Sequence, residues 1–235
     1  IRVVDVGVDY QFTSHPDLIS KKIRGGTSNI KKGPAMKESE LIQALEVGWE
    51  MAALAKKEGT DLLGVGEMGI ANTTAASAVI AALTQWDPSL VTGRGTGIDE
   101  AVLNHKISVI EEALKINSPE ANDPLLALQK VGGFEIAAMA GCLAGAAWHR
   151  IPCFVDGWIA SAAALALIQV NPALLDYLFF AHESQEKGHA LLLGKLAVRP
   201  ILNLSMRLGE GTGACLAMGI LEAAVQAYND VATFE

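Results

Sequence analysis

The chain has 235 residues, enough for one large domain or two small ones around a sizeable core. Hydrophobic residues make up 51% against 19% charged, which excludes a disordered or low-complexity chain. With 18 basic and 26 acidic side chains the net charge is −8, which speaks against nucleic acid or an anionic membrane as partner. A mean hydropathy of +0.31 raises the question of a membrane span. The most apolar stretches, 136–148 and 157–170, are shorter than the ~18 uncharged residues that a spanning helix needs. Cys142, Cys153 and Cys215 lie in apolar stretches without a C-x-x-C pair, as small buried hydrophobes in a reducing compartment do. No basic, cleavable leader opens the chain, so a soluble cytoplasmic protein is the expectation.

In chain order, 1–8 reads as a strand and 9–38 as a long polar, glycine-containing excursion. Ser39 can cap a helix running to about residue 58, with Leu41, Leu45, Trp49 and Ala52 near one face and Gly59 as its stop. A short strand over 62–65 leads through GEMGIANTT into an alanine-rich helix from about Thr73. GRGTG (93–97) opens a helix over 98–114 with the stripe Leu103, Ile107, Ile110 and Leu114. Asp123-Pro124 supplies the cap and first-turn proline of a short helix ending before Gly132-Gly133. There follow a helix over 134–148, a strand over 151–155, a helix to about 170 and a strand over 177–181. A turn (182–189), a helix, a strand-like run over 201–204 and a last helix from RLGEGTG to about Tyr228 complete the chain. This alternation predicts an α/β fold: a doubly wound, mostly parallel sheet with helices on both faces.

Ligands of such a sheet bind at the carboxyl ends of its strands. The polar, glycine-rich segments there are 64–74, 156–157, 182–189 and 207–213, joined by 93–97. Their glycines serve either tight turns or a close approach of backbone N–H groups to an anion. Gly64-Val65-Gly66-Glu67-Met68-Gly69 fits a dinucleotide fingerprint, with Asp87 as the ribose acid, and gives an NAD-dependent oxidoreductase as one reading. Glu67, however, would set a carboxylate inside the turn meant for pyrophosphate, and Asp87 sits in a Trp-Asp-Pro loop. Glu67 and Glu210 each stand among glycines in a strand-to-helix turn. Partial desolvation there raises a carboxyl toward the range of a general base, and helix capping is the alternative. Lys106, at the edge of its helix's apolar stripe, is either a solvated lysine or a phosphate contact. His182 and His189 complete no metal-ligand spacing.

Five motifs, GEMGIANTT (66–74), GRGTGIDEAVLNHK (93–106), KVGGFEIAAMAG (130–141), VDGWIASAAAL (155–165) and RLGEGTGA (207–214), together resemble the nicotinate-nucleotide–dimethylbenzimidazole phosphoribosyltransferase family over essentially the whole chain. The resemblance implies transfer of phosphoribose from nicotinate mononucleotide to 5,6-dimethylbenzimidazole, giving α-ribazole 5′-phosphate and nicotinate. It implies Glu210 as the base that takes the proton of the incoming benzimidazole and Glu67 as a second carboxylate near the ribose. Gly69, Gly93, Gly95, Thr96, Gly97, Lys106 and Ser184 become phosphate and nucleotide contacts, with Leu208 and Gly209 lining the substrate beside Glu210. Ala71 stands where the family often has glycine. A homodimer and a small helical domain built from the chain ends are also implied, with an α/β nucleotide-binding domain over 1–205 and a helical segment over 206–235. Family members carry a further segment ahead of the VVDVGV strand, so the chain looks like the C-terminal part of a member. On that view it keeps a phosphate-binding crevice but is inactive alone with dimethylbenzimidazole. The chemistry fits: nicotinate leaves a pyridinium linkage neutral at nitrogen and needs no general acid, and attack from the opposite face inverts the anomeric carbon. With no diphosphate to release, neither a metal nor another cofactor is called for.

Overall fold

The computed structural model describes residues 1–95, 97 and 99–232. At its start β1 (Val3–Asp5) pairs in parallel with β2 (Leu18–Ser20), with Val3 opposite Leu18. This two-stranded sheet is separate from the main one. The expected strand over 1–8 is cut short because the Asp5 carboxylate accepts the N–H groups of Gly7 and Val8, both at 3.0 Å, and turns the chain. The main sheet joins β3 (Leu63–Val65), β4 (Cys153–Val155) and β5 (Leu178–Phe180) in that order, all parallel, with Leu63, Cys153 and Leu178 in register. The run over 201–204 does not form a strand. A single bridge between His182 and Leu202 continues the parallel pattern beside β5.

The helices are α1 (Glu38–Lys57), α2 (Asn72–Thr84), α3 (Pro88–Val91), α4 (Glu100–Asn117), α5 (Pro124–Val131), α6 (Phe134–Trp148), α7 (Trp158–Val170), α8 (His189–Lys195) and α9 (Thr212–Asp230). Residue 39 lies inside α1. The cap is Lys37, whose N–H donates to the Glu40 carboxylate three residues on (2.8 Å). Asp99 caps α4 by accepting the Val102 N–H (2.9 Å), and the expected first residue, Ile98, lies outside the described residues.

Alternate residues of the main sheet serve two cores, as a sheet covered on both faces requires. Val65, Cys153, Val155, Leu178 and Phe180 point into the large core, with buried residues of α2, α6 and α7. Phe154 and Ala181 point to the other face and meet Ala214 and Ala217 of α9. The helices flank the parallel sheet on both sides, as the sequence predicts. Small residues allow the closest helix contact: a methyl on Gly48 of α1 would lie 1.8 Å from the Ala138 carbonyl oxygen of α6. The outer side of α9 is exposed at Leu216, Ile220, Ala224 and Val225. Among the described residues no helix is long and apolar enough to cross a membrane.

Candidate active site

Two glycine-rich loops meet above β3 and β4. The Glu210 N–H donates to the Glu67 carbonyl oxygen (2.9 Å). A methyl on Gly66 would lie 2.1 Å from the Gly211 nitrogen, so the two backbones touch only because residue 66 is glycine. Gly209, Glu210 and Gly211 take φ of +80°, +60° and +74°, three left-handed residues in a row, of which Glu210 alone carries a side chain. Asp156, the residue after β4, is 2% exposed. Its carboxylate accepts the Gly211 N–H and the Ala214 N–H, each at 3.0 Å.

Glu67 is partly buried beneath this junction. Burial pushes its carboxyl up to about 7, with the nearby Glu135 and Asp156 adding to the rise and the Asn72 amide opposing it. The Asn72 amide donates to Glu67 Oε2. Glu135, in the first turn of α6, is also raised by burial and faces the same amide. Its Oε1 has no hydrogen-bond partner among the described residues. Glu210 has its side chain exposed. The desolvation expected of both glutamates is therefore found at Glu67 alone.

A basic corner adjoins this acidic one through the first turn of α2, where Asn72 faces Glu67 and its neighbour Thr73 faces Lys106. Lys106 Nζ donates to Thr73 Oγ1 (2.8 Å) and to the Gly93 carbonyl oxygen (3.4 Å). Burial lowers its pKa, with Glu186 opposing, so it is not the solvated lysine that a surface helix would carry. Ala71 precedes α2 at φ +75° and no side chain caps the helix. That left-handed conformation is one a glycine would adopt more readily than the alanine here. The N–H groups at this helix start, which no side chain caps, lie beside Lys106. Next to it a cleft of about 380 Å³ is lined by Gly93, Arg94, Gly95, Gln185, Lys187 and Arg207, among others. Gly95 and Gly97 take φ of +54° and +108°, and Thr96 lies outside the described residues.

The other expected contacts are placed differently. Ser184 is buried, its N–H donating to His189 Nδ1 (2.8 Å) and its Oγ accepting from the Glu186 N–H (3.3 Å). Because Nδ1 accepts, Nε2 of His189 carries the proton and donates to Ser161 Oγ (3.0 Å). Burial first, with His182 adding, pushes His189 down to about 3, so it stays neutral. Ser184 thus anchors the turn whose next residues line the cleft. Leu208 is exposed, and Gly209 lies against Glu67, where a methyl would sit 3.1 Å from Oε1. Gly69 leaves room for the Asn72 amide, 2.0 Å from where its methyl would be. Asp87 caps α3 through the Ser89 N–H (2.8 Å) and follows no strand, so it cannot serve as the ribose acid of a dinucleotide fold. Sequence reasoning missed Asn72, Thr73 and Glu135, although all three lie inside GEMGIANTT and KVGGFEI.

The phosphoribosyltransferase family model matches residues 1–235. The chain is 53% identical over 235 residues to the nicotinate-nucleotide–dimethylbenzimidazole phosphoribosyltransferase of Geotalea uraniireducens, covering 100% of this chain and 67% of that one. It is 52% identical over 232 residues to the protein of the same name from Prosthecochloris aestuarii, covering 99% and 66%. A solved structure of that name from Thermus thermophilus superimposes with a TM-score of 0.92 at 42% identity, covering 99% of this chain and 68% of its own. The chain thus spans about two thirds of the length of the curated relatives it matches. Matched from end to end, the chain belongs to this phosphoribosyltransferase family.

Proposed function

We propose that the chain carries the catalytic crevice for phosphoribosyl transfer from nicotinate mononucleotide to 5,6-dimethylbenzimidazole or a related base. The observation that carries this reading is the junction at Asn72-Thr73, which sets the acidic pair of loops beside the Lys106 corner. The 5′-phosphate binds at the α2 N-terminus, Lys106 and the basic cleft, and this leaves C1′ facing the carboxylates. Glu210 takes the N–H proton of the benzimidazole as the in-plane lone pair of its other ring nitrogen forms the bond to C1′. The C1′–N bond to nicotinate breaks, and its electron pair returns to the pyridinium nitrogen. Glu67, when ionised, faces the positive charge that develops on the sugar, and its partial burial strengthens that interaction. An exposed Glu210 suits a base that must meet an incoming second substrate.

A homodimer, and a division at 205/206 with α9 contributing to a small helical domain, belong to the same reading, supported by the exposed outer side of α9. A reducing, cytoplasmic setting is supported by three free cysteines: Cys142 and Cys153 are buried as expected, whereas Cys215, on the outer side of α9, is exposed. The direct test follows nicotinate release and the anomeric proton of the product by NMR, with both substrates and with the chain inside a full-length protein that carries the further segment its relatives have. Release that depends on the base, with an α-riboside product, is expected. Base-independent release, or a β-riboside, would refute the reading.

A further inference from the structure

The geometry points to Asp156 as a positioning residue: its carboxylate pins the 207–213 loop to the end of β4 and so sets both Glu210 and Glu67 toward the substrate. The inference rests on the reading of Glu210 as base. Asp156 has both carboxylate oxygens committed to backbone, Oδ2 to the Gly211 N–H and Oδ1 to the Ala214 N–H. Those are the N-cap and third-residue donors of α9, the pair a helix normally satisfies with its own capping residues. Gly211 has no side chain to do so, and the cap comes instead from a neighbouring strand. A residue on α9 itself would satisfy the helix but leave its position over the sheet free. A carboxylate at the end of β4 fixes strand, loop and helix to one another.

Glu210 takes its left-handed conformation between two glycines that adopt theirs freely, and a non-glycine residue there persists only where its surroundings hold it. Here Gly211 is held by Asp156, and Glu210 is tied to β3's loop through the Glu67 carbonyl oxygen. Gly209 closes against the Glu67 carboxylate. Asp156 is buried and closely surrounded, and a methyl at Gly213 would lie 2.8 Å from its Oδ1. His182 Nε2 stands 3.9 Å from Oδ1, and a methyl at Gly213 would fall 2.1 Å from the same imidazole. Displacement of this one carboxylate therefore displaces both glutamates.

The test is a double-mutant cycle in the full-length protein between Asp156→Asn and Glu210→Gln, read as kcat and as nicotinate mononucleotide affinity. The amide of Asp156→Asn keeps one acceptor and turns its NH₂ against the other backbone N–H. A misplacement of this kind costs about 10- to 100-fold in kcat. Affinity for the mononucleotide should stay within about threefold, because Lys106 and α2 are untouched. Glu210→Gln should then cost far less in the Asp156→Asn background than alone, since both act through one group. Full multiplication of the two losses, or an unchanged kcat in Asp156→Asn, overturns the role of Asp156 and leaves Glu210 standing. A harmless Glu210→Gln in the native background overturns the base assignment itself. If Asp156→Asn does not fold, Asp156→Glu serves in its place: both oxygens remain, displaced by one methylene. The same loss of kcat and the same coupling are expected, and their absence overturns the inference.

Discussion

Near neutral pH the Glu67 carboxyl stands at about half-ionisation, because burial pushes it up to about 7. A carboxyl raised in the folded state stabilises the fold fully below its unfolded value, and that contribution is lost as pH rises through about 7. Glu67→Gln has no proton to lose. The stability of the variant relative to wild type should therefore increase between pH 5 and pH 8 in urea unfolding, whereas a constant difference would place Glu67 in solvent. Lys106 supports a second expectation. Lys106→Ala should weaken nicotinate mononucleotide binding by about 10- to 150-fold, the value of a charge-assisted contact at roughly 1.5–3 kcal/mol. The riboside without the phosphate should bind both proteins alike, and loss of the riboside as well would mean that Lys106 acts through folding. Glu67 and Lys106 could be picked out in the sequence because each breaks its surroundings, one among glycines and one at an apolar edge. The partnership of Glu67 with Glu135 could not, since no helical or strand spacing links the two residues and only the packing of α6 beneath the β3 loop brings them to one amide.

Elements were legible where they are long and periodic, as in α1, α4, α6 and α7. They were less so where three residues suffice. β2 gives no signal within a polar stretch, because LIS is too short to alternate visibly. The 201–204 run has the composition of a strand, yet its pairing beside β5 stops at the Ile201 and Leu202 N–H bonds to Phe180 and Ala181 and a single bridge to His182. At the start of α1, Glu40 reaches back to the Lys37 N–H, so the cap falls two residues before the serine that composition favours. The contact of α1 with α6 sets a test at this scale. Gly48→Ala would force a methyl to within 1.8 Å of the Ala138 carbonyl oxygen and must part the helices. The expected loss is about 1–3 kcal/mol in chemical denaturation, with mononucleotide affinity unchanged. An equally stable variant would show that the helices pack less closely.

Over the whole molecule, a sheet buried on both faces brings the ends of β3 and β4 together, and the loops that follow meet there with the loop before α9. Order along the chain gives the class of fold, and the resemblance of five motifs gives the site. What neither reveals is which carboxylate is desolvated, because that depends on how deeply each loop is covered. Glu67 is partly covered where the 207–213 loop meets it, and Glu210 in that loop is exposed. The proposed division of labour, one carboxylate beneath the sugar and one exposed as base, is tested most directly by Glu210→Gln in the full-length protein, with kcat for transfer and the Kd of nicotinate mononucleotide measured together. Removal of a positioned base should lower kcat by about 10²–10⁴ while the Kd stays within about threefold. A variant that turns over within threefold of wild type would contradict the assignment of Glu210 as the base.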